Sequence, residues 1–208
     1  MKACENNPFC SRLPDGVRAR LCASCVKVPY AAGAIDRHPY QQAMLVVEGL
    51  VVTRNGGKSS AAFVPGTFSL TPKLGPTPLD PAGLSKGELE LLDSDYEWRC
   101  YGPTSIAYFP DGLIEELLDT QPFCRMALNS HLQIQFVSST MEMKLHHGSA
   151  YDAVRYVLRL LKANGVIGLT HEQIAEISGR SRVTVTRAIH EIALAEPELI
   201  AEKPATIS

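Results

Sequence analysis

The spacing of apolar residues divides the chain into a strand-like half and a helical half. Between residues 29 and 110 apolar and branched side chains come in short runs: Met44–Val47, Leu50–Arg54, Ser60–Val64, Tyr96–Cys100 and Ser105–Phe109. Turn signals bound them, Asn55-Gly56-Gly57 after the second run and Pro65-Gly66 after the third, which predicts antiparallel strands joined by tight turns. Thr71–Gly87 is crowded with proline and glycine and reads as a loop. From Asp111 onward the period changes to that of a helix. Leu113, Ile114, Leu117 and Leu118 make a short apolar face, and Pro122 suits the first turn of a longer helix running to about His146, before Gly148. Residues 1–28, punctuated by Pro8, Pro14 and Gly16, read as irregular.

The long helix carries two apolar stripes. Phe123, Ala127, Ser130, Ile134, Val137 and Met141 alternate steps of four and three, the spacing of a coiled-coil seam. Leu128, Leu132, Phe136 and Met143 fall on another face. One neighbour needs one stripe, so two stripes predict two neighbours: the strand region and the same helix of a second copy. The regular seam, Phe123 to Met141, is assigned to the dimer interface; burial of the whole helix inside one chain is the alternative. A further amphipathic helix spans 149–163 (Ala153, Val154, Val157, Leu158, Leu160, Leu161) and closes at Asn164-Gly165.

Composition narrows the class without settling it. The 208 residues are 45% hydrophobic and 20% charged, ordinary globular usage that excludes a wholly disordered chain. Against 22 Asp and Glu stand 20 Lys and Arg, a net charge of −2, so nucleic-acid binding would need a local patch. The longest apolar run, Met44–Thr53, is broken by Glu48 and Gly49 and is too short for a bilayer. Met1–Asn7 has no apolar core of a secretory signal, so a cytoplasmic protein is expected.

Leu169 to Ile192 supplies such a patch on a helix-turn-helix pattern. Thr170 and Gln173 form a capping box that opens one helix, and Ala175 is small where a second must cross. Gly179 suits a positive φ in the sharp turn, and Ser181 is a good N-cap for the second helix. Within it Val185, Ile189 and Ile192 form an inward stripe, while Arg182, Val183, Thr186, Arg187 and His190 point outward. Arginine can grip guanine O6 and N7 bidentately, and an exposed valine is natural against a thymine methyl. A helical hairpin with a solvated basic face is the bland alternative.

The order strand domain, long helix, helix-turn-helix resembles the cyclic-AMP receptor protein/fumarate–nitrate reduction regulator (Crp/Fnr) family of transcription factors. The resemblance is carried by Leu169–Ile192 and by Tyr30-Ala31-Ala32-Gly33, Val46-Val47-Glu48-Gly49-Leu50-Val51 and Pro65-Gly66-Thr67-Phe68. It implies an α+β fold: an N-terminal, jelly-roll-like β-roll sensor domain (29–119) behind a cysteine-bearing segment (1–28), then a dimerisation helix (120–146) and a C-terminal winged helix-turn-helix domain (147–208). It also implies a homodimer on a palindromic operator in double-stranded DNA, with RNA polymerase as a candidate partner and no enzymatic activity. The candidate DNA contacts are Thr170, Ser181, Arg182, Val183, Thr184, Thr186, Arg187 and His190. Three departures qualify it. Many members carry Glu where this chain has Val183. The stretch after Gly66 lacks the Gly-Glu and Arg-x-(Ser/Ala) signature, offering only Lys73 and Lys86 as cations, so cyclic AMP is not the expected effector. The tail after Glu196 is short for a full wing, leaving Leu199–Ile200 as one strand of it.

Four of the six cysteines, Cys4, Cys10, Cys22 and Cys25, lie in the first 25 residues. Cys22-Ala23-Ser24-Cys25 has a chelating spacing, and Cys10 and Cys4 would complete four ligands for zinc or an iron–sulfur cluster. Redox-switch thiols and ordinary buried thiols remain open beside that reading. The intervals do not reproduce the pattern of the iron–sulfur members, and Cys100 and Cys124 stand alone. A cupin-like metal enzyme would need clustered histidines, and the strand zone offers only His38.

Overall fold

The structure is a computed structural model, and it describes residues 7–35, 43–70, 96–166 and 168–200. Cys4, His38 and the loop Thr71–Gly87 with Lys73 and Lys86 lie outside the described residues. The chain divides into two compact units, 1–138 and 139–208, with the division inside the long helix.

In the first unit a helix α1 (Asp15–Ser24) precedes eight strands: β1 (Val26–Tyr30), β2 (Gly33–Ala34), β3 (Ala43–Glu48), β4 (Val51–Asn55), β5 (Lys58–Phe63), β6 (Phe68–Ser69), β7 (Tyr96–Cys100) and β8 (Thr104–Phe109). They form two antiparallel four-stranded sheets, ordered β1-β8-β3-β6 and β2-β7-β4-β5. Helix α2 (Asp111–Leu118) and the long helix α3 (Gln121–Met141) follow. The mixed fold and the strand runs match the sequence expectation. The irregular reading of 1–28 does not: ten of those residues form α1, and Phe9, Leu13 and Leu21 are core residues. Pro14 is the residue just before α1, where a proline opens a helix instead of breaking it.

The first sheet is covered on both faces, which explains why β3 reads as an unbroken apolar run instead of an alternating one. Met44 and Val46 of β3, with Ile106 and Tyr108 of β8, share a core with Val51, Phe63 and Trp98 of the other sheet. Ala43, Leu45, Val47, Ala107 and Phe109 share a second core with Phe9, Leu21, Ile114, Leu117, Phe123 and Ala127. Four phenylalanines dominate this second core. Phe9 stacks on Phe68 (centroids 4.6 Å, 14°), and Phe123 meets Phe68 edge-on (5.5 Å, 77°), with Phe109 5.8 Å from Phe68.

This packing corrects the assignment of the long-helix seam. Phe123, Ala127 and Ser130 are buried within their own chain, and Ile134 packs partly against the sandwich core. Met141 is buried in the second unit, and Val137 is half-buried. The regular stripe is therefore the docking stripe, not a surface open to a second copy. Within the first unit, Phe123, Ala127, Ser130 and Ile134 meet the chain's own β-domain, and Met141 at the end of the stripe is buried in the second unit. Ser130 explains the polar interruption: its hydroxyl accepts from Phe68 N–H and donates to Phe68 C=O, both at 2.8 Å, satisfying a short strand that lies at the sheet edge among the described residues. Removing it in Ser130→Ala orphans two buried backbone groups, and equilibrium urea denaturation is expected to show a loss of about 2–3 kcal/mol. Ser138→Ala, which removes one partly exposed bond to Ser60 C=O (2.8 Å), is expected to lose only about 1 kcal/mol.

The other stripe faces outward. Leu128, Leu132 and Phe136 are 56%, 57% and 74% exposed, and Met143 is exposed in the second unit. Leu128, Leu132 and Phe136 follow at i, i+4 and i+8, a continuous apolar strip on a helix otherwise polar on that side.

The second unit holds a π-helical turn (Glu142–His146) that ends the long helix, then α4 (Ala150–Ala163), α5 (His171–Ser178), α6 (Arg182–Ala195) and the short α7 (Pro197–Ile200). Ala153, Val154, Val157 and Leu161 of α4 are buried, with Ile174, Ala175 and Ile177 of α5 and Val185, Ala188 and Ile192 of α6. Leu199 and Ile200 belong to α7, so the expected wing strand is corrected: Pro197 has helical φ fixed by its ring and starts a turn of helix directly after α6. Among the described residues no helix is long and apolar enough to cross a membrane.

Candidate nucleic-acid interface

The helix-turn-helix is built by local groups in the order the sequence implies. Thr170 Oγ1 accepts from Gln173 N–H (3.2 Å) while Gln173 Oε1 accepts from Thr170 N–H (2.9 Å), completing the capping box of α5. Gly179 has φ +64°, a left-handed conformation that costs other L residues about 1–2 kcal/mol, and so lets the chain reverse in one residue. Ser181 Oγ then accepts from Thr184 N–H (3.2 Å) and opens α6. With Val185, Ala188 and Ile192 buried and Ile189 half-buried, the opposite face of α6 presents Ser181, Arg182, Val183, Thr186, Arg187 and His190, all exposed.

Two of the eight candidate contacts are used differently from the rest. Thr184 is half-buried, its hydroxyl 2.8 Å from Ser181 Oγ, so it buttresses the start of α6. Thr170 is exposed, but its hydroxyl serves the capping box. The remaining six share one surface. Val183 is 61% exposed, an apolar side chain in open solvent among arginines.

Three residues bearing on this surface escape sequence reading because their partners are remote. His171 and Glu172, at the start of α5, reach across to α6. His171 Nδ1 lies 3.0 Å from Thr186 Oγ1, and Glu172 is 4.0 Å from the Arg182 guanidinium. Both members of the ion pair are well exposed, so it guides Arg182 weakly. Arg180, in the turn itself, donates from Nη2 to the carbonyls of Leu145 (3.0 Å) and Gly148 (2.8 Å), tying the turn to the π-helical end of α3. Gly148 is required there, because a Cβ would sit 2.5 Å from Lys144 C=O. The Leu145 carbonyl lies in the last turn of a helix, where carbonyls lack intrahelical donors, and one guanidinium nitrogen serves it together with the Gly148 carbonyl.

A second ionic clasp closes the far end of α6. Glu196 pairs with Arg155 and, at 2.9 Å, with Arg159 of α4. The Arg155 hydrogen bond, with help from Arg159, holds the Glu196 carboxyl below its ordinary value and raises the Arg155 guanidinium. A depressed carboxylate contributes stability above its unfolded pKa and loses it as pH falls through the folded pKa, so this clasp is fully present at neutral pH and opens only in acid.

The N-terminal thiols border the aromatic core. Cys10 is buried in it, and Cys22 and Cys25 pack half-buried against it, Cys25 Sγ donating to Cys22 C=O (3.6 Å). Among the described residues no three His, Cys, Asp or Glu side chains gather as metal ligands. Burial pushes the Cys100 thiol up, opposed in part by its bond to Thr104, so it is a neutral core group at physiological pH.

No protein-family model matches the sequence, and no curated protein matches it by sequence. Solved structures do match in fold. A transcriptional regulator of the Crp/Fnr family from Eubacterium rectale superposes with a TM-score of 0.59 at 12% identity, over 90% of this chain and 87% of that one. The c-di-GMP responsive global regulator CLP of Xanthomonas campestris gives 0.58 at 13% identity, over 88% and 93%. FixK2 of Bradyrhizobium japonicum gives 0.57 at 14%, over 82% and 85%. The chain therefore has the fold seen in Crp/Fnr regulators: a β-roll, a long helix and a helix-turn-helix.

Proposed function

We propose that this chain, with the fold of the Crp/Fnr regulators, is a homodimeric, cytoplasmic, sequence-specific DNA-binding transcriptional regulator whose β-roll senses a signal other than cyclic AMP. The observation that carries the reading is the exposed face of α6. A helix whose start is capped by Ser181 and whose turn is set by Gly179 presents two arginines, a histidine, a serine and two methyl-bearing side chains together. The N-terminal end of such a helix, with its positive dipole, enters the major groove, Arg182 and Arg187 reaching base edges or phosphate.

The second copy docks on the Leu128, Leu132 and Phe136 strip, a continuous apolar surface exposed among the described residues. A two-fold pair presents two α6 helices to half-sites one turn of DNA, ~34 Å, apart, hence a palindromic operator. A signal that alters the seat of α3 on the roll, where Phe123 and Ser130 meet Phe68, would change the spacing of the pair and so its affinity. RNA polymerase is the natural further partner of a protein so placed.

Selection of bound duplexes from a random pool, run aerobically and anaerobically, tests binding, site symmetry and redox dependence together. On the selected operator Arg187→Ala is expected to lose about 1–3 kcal/mol per half-site and to relax discrimination at one base pair. Equal affinity of variant and parent in a footprinting titration would remove Arg187 from the reading surface.

A further inference from the structure

We infer that α6 reads the 5-methyl group of thymine through a methyl-bearing pair, Val183 and Thr186, and that His171 is the positioning residue that gives Thr186 this character. The inference rests on the DNA-binding reading above and specifies what that surface recognises.

Threonine on a reading helix can act through its hydroxyl or through its methyl, and the structure decides between them. Thr186 Oγ1 donates its single proton to the Arg182 carbonyl one turn back, at 3.0 Å. The contact with His171 Nδ1, also 3.0 Å, must then run the other way, with the ring N–H donating to the hydroxyl oxygen. The hydroxyl is thus held from both sides by its own chain. Thr186 is nonetheless exposed, and the group it leaves unengaged is the γ-methyl. Val183 lies three residues earlier on the same face, 61% exposed, with no polar atom on its side chain. Two aliphatic groups side by side would be a liability in water and are an asset against the one apolar feature of the major-groove edge, the thymine methyl. Arg182 and Arg187 flank the pair, so the half-site places one or two adjacent thymines beside a base or phosphate held by arginine.

The test uses the full-length protein and the operator it selects, with each thymine replaced singly by deoxyuridine, which removes the methyl and leaves base pairing intact. One or two positions per half-site are expected to lose affinity about three- to five-fold, the effect of exposing one buried methyl. Val183→Ala should shrink the thymine-to-uracil ratio at one of them. At the other, Thr186→Val keeps the methyl and should retain the ratio, whereas Thr186→Ser removes the methyl and should bring it toward one. His171→Ala frees the acceptor side of the hydroxyl, leaving only its bond to the Arg182 carbonyl, and should narrow the same ratio; His171→Asn, which keeps a donor, should restore it. Uracil tolerated at every position to within about 1.5-fold overturns the inference while leaving DNA binding intact. Full discrimination by Thr186→Ser, with loss of binding in Thr186→Val, likewise overturns it by making the hydroxyl the reader. If no duplex is recovered at all, the inference and the reading beneath it fall together.

Discussion

Replacing Leu132 and Phe136 together by aspartate is expected to give a folded monomer that binds a two-half-site operator at least roughly 100-fold more weakly than the parent, the advantage normally lost when two linked binding events become one. Both side chains are more than half exposed, so neither substitution disturbs the chain's own core. What they do disturb is a strip that a second copy would bury, where four carboxylates brought together across a two-fold axis repel one another and resist desolvation. Sedimentation equilibrium reads the mass, and a gel-shift titration reads the affinity. A variant that remained dimeric at micromolar concentration would place the interface elsewhere.

Phe123→Ala is expected to lose about 3–5 kcal/mol of stability. Its ring is wholly buried, edge-on to Phe68 at 5.5 Å and perpendicular to Phe9 at 6.2 Å. Truncation removes two aromatic pairings and opens a void that Phe9 and Phe68, fixed on separate parts of the chain, cannot collapse to fill. Urea unfolding followed by far-ultraviolet circular dichroism gives the value. The two variants separate the two sides of one helix: Phe123→Ala changes stability, and the aspartate pair changes assembly with little change in stability.

Much of the architecture is legible in the sequence because local rules and the final fold agree. The Asn55-Gly56-Gly57 hairpin, the capping box at Thr170, the left-handed Gly179 and the N-cap Ser181 are decided within a few residues, and the structure has each of them. Long-range pairing is what hides from such a reading. The stripe from Phe123 to Met141 has the better seam spacing, yet spacing reports only that a helix face is covered, not by what. The serine in its middle was the available clue, since a hydroxyl in a dimer seam needs a partner that a β-edge supplies more readily. Asp15–Ser24 gave little helical signal because it buries a single residue, Leu21. Residues His171, Glu172 and Arg180 matter through partners 10 to 35 positions away, which no local pattern contains.

A rod with greasy flanks on two sides could lie on its bed either way up, and hydrophobicity alone would not choose. Leucine and phenylalanine on the open flank are at least as attractive to a buried site as alanine and serine on the closed one. The pair of 2.8 Å bonds between Ser130 and the strand at Phe68 is directional where grease is not. Rolled over, the rod would strand two peptide groups in a dry place with nothing to answer them. One small alcohol thus acts as a keyway, and by fixing which flank goes down it also fixes which flank is left available to company.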